Sequence, residues 1–462
     1  MSVQDSKLPS LSRSLLMAAA RPVDARARSR AVLHWLDWIG CVAAGARAPV
    51  SDAMRRLQLT PGMPCSTPSL LGMAQDAWHA TLLDAGPANV EEMDDMHRQA
   101  ILHPGPVIMP ALAGLARQGA LSTAQTLDAV VRGYEIMIRV GRAVGTRHYY
   151  FWHNTATAGV FGAAAACADA LQLSPDQAVW ALGNAGTKAA GLWQVRLEPV
   201  MSKQLHTAHA AWAGRTAASL AAAGFTGPER ILEGDRGFFA AMCPGADIEA
   251  VSRTEKDWLI HETSFKPWPA CRHTHATIDC VLAMREQGMG GPLRFDACEV
   301  ESFSDALGIC DNPQPRTRTE AKFSLQYCVA VAAAMGPLRP EFFDEAFFLR
   351  PDLVEAAKRV KLKPSAAIDD AYPDHYGARV TFHLRDGETR AHEVKDSLGD
   401  PERPMTAEAL FDKARMLMAY GAVPEERAEE VIQAARSLLD APPAALAAPF
   451  PKALLAPLFA FS

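Results

Sequence analysis

The sequence predicts a mainly α-helical protein with a large all-helical domain and a smaller α+β lid domain inserted into it. The chain has 462 residues, which is long for one hydrophobic core, so two domains are expected. Alanine- and leucine-rich segments with helical periodicity fill the first part of the chain and return after residue 400. Segments that alternate polar and apolar residues lie between them. We expect the helical domain at 1–265 plus 401–462 and the lid at 266–400.

Ten helices are predicted in the helical domain, and so much alanine suggests close packing in a bundle. Pro175 suits the first turn of one of these helices, and Gly224 is typical of the end of another. The predicted ranges are Ser12–Ala20, Arg28–Ala44, Gln75–Asp84, Val107–Gln118, Thr123–Val144, Thr155–Leu171, Pro175–Trp193, Lys203–Ala223, Thr406–Ala419 and Pro424–Leu438. The tail, 441–457, is expected to lie on the surface.

The lid domain is expected to combine four strands with helices, because its polar and apolar residues alternate over short segments. The strands are predicted at Phe295–Phe303, Arg359–Leu362, Arg379–Leu384 and Ala391–Lys395, and the helices at Glu320–Ala334 and Pro351–Ala357. A lid over a helical base would favour a ligand cleft between the two domains.

Composition narrows the class of protein. The net charge is −6, from 46 basic and 52 acidic residues, which argues against nucleic-acid and membrane-surface partners. The nine cysteines are scattered without a C-x-x-C, as in reduced cytosolic proteins. The N-terminus lacks the order of a signal peptide, and the most apolar stretch, Gly159–Leu171, contains Asp169 and is typical of a buried helix. We therefore expect a cytoplasmic protein.

The segment richest in titratable groups is 91–97, EEMDDMH, followed by 102–106, LHPGP. Pro106 suits the first position of a helix, which puts His103 just before a helix N-terminus. The helix dipole there disfavours imidazolium, so the neutral ring can accept a proton, and the same end attracts a carboxylate. The alternative is an acidic capping turn with a surface histidine.

A second segment, 201–209, MSKQLHTAH, enters an alanine-rich helix. Lys203 would lie at the helix start, where the dipole does not favour a cation, so an anion-binding lysine is one interpretation and a solvated lysine the other. His206 and His209 are better interpreted as core or interface residues. His153 precedes another alanine-rich helix.

A third segment, 265–279, carries four potential cations close to the predicted domain boundary: Lys266, Arg272, His273 and His275. Arg272 could bind a carboxylate with two hydrogen bonds. An ordinary basic surface loop is the alternative. A metal site at His273-x-His275 is not favoured, because no third or fourth ligand follows at a suitable spacing.

A fourth segment, 312–327, predicts Lys322 and Gln326 on one helical face, followed by Tyr327. Tyr327 could donate a hydrogen bond or relay a proton, or it could be a half-buried structural residue. The sequence contains none of the motifs of serine hydrolases, dinucleotide enzymes, P-loop proteins or zincins, and no cysteine trio spaced for an iron–sulfur cluster.

With these segments, the chain resembles the MmgE/PrpD family from about residue 10 to residue 450. The stretches that carry the resemblance are EMDDMHRQAILHPGPVIMPALAGLA, GYEIMIRVG, TATAGVFGAAAACADALQL, KQLHTAHAAWAGRTAASLAAAGFTGPERILEG, KPWPACRHTH and NPQPRTRTEAKFSLQY. The family includes 2-methylcitrate dehydratases, cis-aconitate decarboxylases and iminodisuccinate epimerases. The resemblance implies the helical domain with an α+β lid, a homodimer, and no obligatory cofactor or metal.

The resemblance also implies a set of residues that line the site: His103, Lys203, Lys266, His273 or His275, and Tyr327. Two departures from the family pattern bear on the substrate. The acidic motif usually resembles D-F-D-D-T-H, whereas here Met96 stands in place of the threonine. Cys271 stands about where a decarboxylase histidine aligns.

The reactions of this family share a proton transfer at carbon next to a carboxylate, which requires a placed base and cations around the developing charge. We expect His103 to be the base or acid, with Tyr327 or His275 transferring the second proton. Lys203 is expected to stabilise the developing charge, and Asp94 and Asp95 to orient their partners. The remaining predicted substrate contacts are Lys266, Arg272, His273, His153 and His97.

A 2-methylcitrate dehydratase-like hydro-lyase is the first expectation for the substrate, a small polycarboxylate. An epimerase of an iminodisuccinate-like amino diacid and a cis-aconitate-type decarboxylase are alternatives. A catalytically silent helical scaffold is the alternative from a different class.

Overall fold

The computed structural model describes residues 9–118, 121–198, 200–288 and 295–459. The first eight residues, on which part of the signal-peptide argument rests, lie outside the described residues. The chain divides into two compact units. Unit 1 consists of Met1–Val90, Asp94–Thr263 and Ala407–Ser462, and unit 2 consists of Glu91–Met93 and Ser264–Thr406. The sequence did not indicate that the tripeptide Glu91–Met93 belongs with unit 2.

Unit 1 is built almost entirely from helices, which confirms the mainly α class. Numbered along the whole chain, its helices are α1 (Leu11–Ala19), α2 (Ala25–Gly45), α3 (Pro49–Arg55), α4 (Ala77–Ala85), α5 (Gly105–Arg117), α6 (Thr123–Ala143), α7 (Gly145–Phe151), α8 (Asn154–Thr157), α9 (Gly159–Ala170), α10 (Pro175–Gly186), α11 (Ser202–Ala222), α12 (Phe238–Met242), α13 (Glu249–Ser252), α21 (Ala407–Tyr420) and α22 (Glu425–Leu439). Its short strands are β1 (Thr67–Ser69), β2 (Gly72–Ala74) and β3 (Met96–His97), and β4 (Thr263–Ser264) lies at the boundary of the units.

The centre of unit 1 is the alanine-rich helix α9, which packs against α6, α10 and α11. A Cβ on Gly162 would lie 2.5 Å from Met137 Cβ and 3.0 Å from the Gly133 carbonyl oxygen. The side chains at this crossing must therefore be small for the backbones of α6 and α9 to approach each other.

Three details of unit 1 differ from the prediction. The helix expected at 155–171 is two helices, α8 and α9, on either side of Ala158. The helix expected at 175–193 ends at Gly186, and Gly191 adopts a left-handed φ of 123° before a short 3-10 turn begins at Trp193. The tail is anchored in the core, because Phe450 contacts the Trp35 ring at 4.6 Å and the Leu454 carbonyl accepts the Trp35 indole N–H at 3.2 Å.

Unit 2 contains a four-stranded sheet in the order β6-β5-β7-β8. Its strands are β5 (Phe295–Ser302), β6 (Val360–Pro364), β7 (Ala378–Leu384) and β8 (Thr389–Val394), so all four predicted strands are confirmed. Its helices are α14 (His275–Glu286), α15 (Ser304–Cys310), α16 (Arg318–Lys322), α17 (Leu325–Met335), α18 (Glu345–Phe348), α19 (Pro351–Ala357) and α20 (Ala366–Asp369). The strand β5 pairs parallel with β6 and antiparallel with β7, and α14 packs on β7 and β8.

The prediction of one continuous helix at 320–334 is wrong, because this region forms two helices, α16 and α17, which are separated at Phe323–Ser324. Ser324 caps α17, since its Oγ accepts the backbone N–H of Tyr327 at 3.0 Å. Lys322 and Gln326 therefore do not share a helical face. None of the helices in the described part of the chain is long and apolar enough to cross a membrane.

Candidate functional site

The side chain of His103 is held in one orientation by the acidic segment. His103 precedes α5 by two residues, as predicted, although Pro106 is the second helical residue rather than the first. Its Nδ1 lies 2.9 Å from the Asp95 carbonyl oxygen and 3.0 Å from Asp94 Oδ2. Nδ1 must carry a proton to donate to the Asp95 carbonyl, which leaves the lone pair on Nε2. Within the described residues no hydrogen bond reaches Nε2, and 16% of the side chain is exposed.

Asp95 is the buried anchor of this arrangement. Its carboxylate accepts the Tyr134 hydroxyl at 2.6 Å and the Gly105 amide at 2.9 Å, and it lies 2.7 Å from His34 Nδ1. Burial alone would raise the pKa of Asp95, but the contacts with His34, Tyr134 and Gly105 hold it below its usual range. Burial lowers the pKa of His34 to about 4. A neutral imidazole therefore lies in contact with an ionised carboxylate.

His97, predicted as a substrate contact, is almost fully buried among protein groups. Its Nδ1 accepts the Ala100 amide at 3.2 Å, and its Nε2 lies 3.6 Å from Glu262 Oε2. Burial and the charge of Arg142 lower the pKa of His97 to about 4, against the opposing effect of Glu262. These contacts stabilise the loop, and a substrate contact for His97 stays a prediction.

A cluster of aromatic and imidazole rings lies close to the backbone of His103. The His103 amide donates to Thr155 Oγ1 at 3.1 Å, two residues after His153. The Nδ1 atoms of His153 and His206 are 3.3 Å apart, and the ring of His153 lies 4.3 Å from that of Trp193. Unit 1 thus brings the segments of His103, His153 and His206 together.

Lys203 is the second residue of α11, one turn before His206. The predicted position of this lysine at a helix start is therefore confirmed. Burial, together with the nearby charges of His209 and Lys203, lowers the pKa of His206. The imidazole of His206 next to the ammonium group of Lys203 is suited to binding a carboxylate.

In unit 2, Glu91 and Glu92, the first two residues of the acidic segment 91–97, pair with buried lysines. Lys266 is 1% exposed, and its Nζ lies 3.3 Å from Glu92 Oε2. Lys322 Nζ donates to Glu91 Oε2 at 2.6 Å, and Arg318 reaches the same oxygen at 2.8 Å. Burial lowers the pKa of Lys322, and Glu91 opposes this shift. The ammonium groups are thus balanced by adjacent carboxylates.

The backbone of residues 92–101 is strained at both ends. Glu92 has φ 55° and Ile101 has φ 48°, both in the left-handed region that residues other than glycine rarely adopt. Each costs on the order of 1 kcal/mol or more, and such strain tends to cluster at functional sites. The geometry of residues 92–101 is therefore imposed by the surrounding contacts.

Arg272 is a buried guanidinium with unused donors. It is 4% exposed and forms an ion pair with Asp400, whose other oxygen accepts the Ser264 hydroxyl at 2.6 Å. Among the described residues, Nε and Nη1 of Arg272 make no hydrogen bond. These two donors are suited to a bidentate interaction with a carboxylate.

The other predicted residues of unit 2 make internal contacts. The Tyr327 hydroxyl donates to the Phe342 carbonyl, and burial raises the pKa of the phenol. His275 is fully buried, with Nε2 3.1 Å from the Ala270 carbonyl oxygen. His273 Nδ1 faces Cys271 Sγ at 3.6 Å.

Sequence reasoning overlooked several residues of these networks, namely His34, Tyr134, Glu91, Arg318 and Asp400, and it did not assign an ion pair to Lys322. Glu91 and Lys322 lie inside segments already singled out, so a search for opposite charges in those segments would have paired them. His34 lies in the middle of α2 and Asp400 far along the chain from Arg272. Nothing local in the sequence distinguishes them.

The chain belongs to the MmgE/PrpD family. Residues 11–251 match the MmgE/PrpD N-terminal domain and residues 268–439 match the MmgE/PrpD C-terminal domain, which confirms the resemblance seen in the sequence.

Curated relatives of the chain carry the name cis-aconitate decarboxylase. The protein of Aspergillus terreus is 25% identical over 439 residues, which cover 89% of this chain and 88% of the relative. That of Mus musculus is 27% identical over 345 residues, 70% of this chain and 68% of the relative. That of Homo sapiens is 24% identical over 336 residues, 70% and 69% of the two chains.

Proposed function

We propose that this protein is a lyase that transfers a proton at carbon next to a carboxylate of a small di- or tricarboxylic acid. One observation carries the proposal. The Nδ1 of His103 donates to the Asp95 carbonyl oxygen and lies 3.0 Å from Asp94 Oδ2, and the Nε2 of this partly exposed side chain is left with a lone pair. A positioned imidazole of this kind can exchange a proton with a weak carbon acid.

Asp94 supports this role by orienting His103. Its carboxylate lies 3.0 Å from Nδ1, where its negative charge favours a proton on Nδ1 and stabilises the imidazolium that forms when Nε2 takes a proton. Proton transfer by a placed side chain typically contributes about 10²–10⁴-fold in rate. Asp94 is a positioning residue in this scheme and does not touch the substrate.

The charge that develops on the substrate needs cations. Arg272 supports this need best, because two of its donors are buried and make no hydrogen bond in the described part of the chain. Lys266 and Lys203 are proposed to bind further carboxylate oxygens. Loss of one well-placed donor of this kind typically costs about 3–4 kcal/mol of barrier. The scheme requires no cofactor.

Within the lyases, the names of the relatives favour an unsaturated tricarboxylic acid such as cis-aconitate, which would lose CO₂. A hydro-lyase acting on a 2-methylcitrate-like acid uses the same proton transfer and differs in the leaving group. We also propose a homodimer and a cytoplasmic location, from the family resemblance and the composition respectively.

The proposal is tested by incubating the protein in D₂O with cis-aconitate, 2-methylcitrate and aspartate-type diacids, followed by NMR and measurement of CO₂. We expect deuterium incorporation with CO₂ release, or with gain or loss of an alkene. Deuterium incorporation with inversion and no bond cleavage would instead indicate an epimerase. No reaction on any acid would favour a silent scaffold.

The role of His103 is tested by His103→Gln, with His383→Gln as the matched control, because His383 is exposed on β7. We expect kcat to fall by at least about 100-fold in the first variant and to stay unchanged in the second. Circular dichroism checks that both fold. A near-normal kcat for folded His103→Gln would refute the assignment.

A further inference from the structure

Three metal-ligating side chains of unit 2 meet at one point. Cys271 and His273 lie in the turn that precedes α14, and Cys310 is the last residue of α15. The sulfur atoms and one imidazole nitrogen all lie within 4.8 Å of one another. The sequence did not favour a metal site at His273-x-His275, because no third or fourth ligand followed at a suitable spacing. The third donor comes from a different element of the fold.

The distances agree with a shared metal ion. Zinc binds thiolate sulfur at about 2.3 Å and imidazole nitrogen at about 2.0 Å, so tetrahedral geometry separates the two donors by about 3.5 Å. Cys271 Sγ and His273 Nδ1 are 3.6 Å apart. By the same geometry two thiolates lie about 3.8 Å apart, which is within the 4.8 Å limit of the cluster.

The surroundings fix the donors in place. Cys271 and Cys310 share an apolar cluster with the buried side chain of Leu325. The ring of His273 lies 5.3 Å from that of Phe303 and is stacked 5.5 Å from that of Tyr376. An apolar shell of this kind limits the access of water, and packing restricts the rotamers of the ligands.

The backbone around Cys271 is equally well held. Its amide donates to the Lys322 carbonyl at 2.9 Å, and its carbonyl accepts the Thr274 hydroxyl at 2.8 Å. The position of the Cys271 sulfur is therefore set before any ligand binds, which reduces the entropic cost of binding.

We propose that Cys271, His273 and Cys310 form a binding site for a thiophilic divalent cation of the zinc class. Sulfur and imidazole donors select such ions over magnesium or calcium, which prefer oxygen. Three protein ligands leave one coordination position for water or another small ligand. The proposal does not depend on the reaction proposed above, and it changes the predicted role of His273 from substrate contact to metal ligand.

The test uses Co²⁺ as a spectroscopic substitute for zinc, added to the full-length protein after chelation and thiol reduction. We expect one equivalent to produce a thiolate-to-cobalt charge-transfer band in the near ultraviolet, together with the visible bands of a tetrahedral ion. Cys310→Ser should abolish the charge-transfer contribution of one thiolate and weaken binding by more than about tenfold. His273→Gln should weaken binding while the sulfur band persists.

The matched control is Cys65→Ser, because Cys65 is an exposed thiol outside the cluster. It should leave the spectrum and the affinity unchanged. Zinc should also raise the Tm of the wild-type and Cys65→Ser proteins but not that of folded Cys310→Ser.

A second group, His375, Asp396 and Glu402, also brings its donor atoms within 4.8 Å of one another. It supplies no sulfur, so cobalt bound there gives no thiolate band. Cobalt binding without a charge-transfer band in the wild-type protein, or binding that survives Cys310→Ser but is lost in Asp396→Asn, would overturn the proposal.

Discussion

The acidic segment supplies carboxylates to two regions with opposite electrostatics. In unit 1, Asp95 contacts His34, whose pKa burial lowers to about 4, and Asp94 contacts His103. In unit 2, Glu91 and Glu92 contact the ammonium groups of buried lysines. The carboxylate of Asp95 therefore keeps its negative charge next to the uncharged ring of His34 in unit 1. In unit 2, the ammonium groups of the lysines neutralise the charges of Glu91 and Glu92. The partner of each carboxylate decides which outcome follows.

The largest expected effect comes from breaking an ion pair in unit 2. Lys322→Met leaves Glu91 buried without its 2.6 Å partner, although Arg318 remains. We expect the free energy of unfolding to fall by about 3 kcal/mol, toward the lower end of the cost of breaking a buried ion pair, because Arg318 still contacts the same Glu91 oxygen. Chemical denaturation measures this change.

Two controls sharpen this prediction. Glu91→Gln combined with Lys322→Met should recover much of the loss, because no unpaired charge remains. Lys363→Met removes the partner of Glu299 in an exposed ion pair of similar length, 2.8 Å. It should have little effect on the free energy of unfolding. Equal losses in the buried and exposed variants would contradict the comparison.

In unit 1, the neutral histidines predict acid sensitivity. Burial lowers the pKa of both His34 and His97 to about 4, whereas the unfolded chain binds their protons near about pH 6.5. The unfolded state therefore binds more protons between these values, and stability falls as the pH drops from about 7 to 4. Each histidine contributes on the order of 3 kcal/mol to this loss.

Denaturation at a series of pH values checks this prediction. His97→Gln should reduce the slope of stability against pH between about 4 and 6.5, whereas the exposed His383→Gln should not. An unchanged slope in His97→Gln would show that His97 is not held neutral by burial.

A smaller effect should separate the neighbouring residues Asp94 and Asp95. Asp95→Asn removes the charged acceptor of Tyr134 and Gly105, and we expect it to lower the free energy of unfolding by about 2 kcal/mol. Asp94→Asn should change stability less but lower kcat by about 10²-fold or more with little change in KM, since it misplaces the proton of His103.

The two readouts, denaturation and steady-state kinetics with its pH profile, distinguish these roles. If Asp94→Asn altered only stability and left kcat and its pH profile intact, Asp94 would be structural and the proposed orientation of His103 would fail.

The smallest effect is expected at Tyr327 in unit 2. Its hydroxyl already donates to the Phe342 carbonyl within the core, so Tyr327→Phe should lower the free energy of unfolding by about 1 kcal/mol and leave kcat nearly unchanged. A large fall in kcat with unchanged stability would instead support the catalytic role that the family resemblance implies.

Local sequence signals predicted the elements that depend on local contacts. Ser174 and Gln177 form the capping box that starts α10, and the alternating burial of β5 follows its alternating sequence. The prediction failed at Ser324, because a serine within a helical pattern can instead cap a new helix. Propensity alone does not decide between these two uses of the side chain.

The residues of the candidate site also divide into those that local sequence signals indicated and those that only the tertiary structure identified. The sequence singled out His103, Lys203, Lys266 and Arg272, because their residue types and their positions near helix starts are local properties. It did not indicate that His34 contacts Asp95 or that Asp400 pairs with Arg272.

By itself, the sequence determined the mainly helical class, the four strands of unit 2 and membership of the MmgE/PrpD family. Only the tertiary structure decided which carboxylate meets which base and that Cys310 joins Cys271 and His273. The physical reason is that periodicity and capping act over a few residues. Ion pairs and ligand clusters form between residues that are distant in the chain, and packing alone sets their distance.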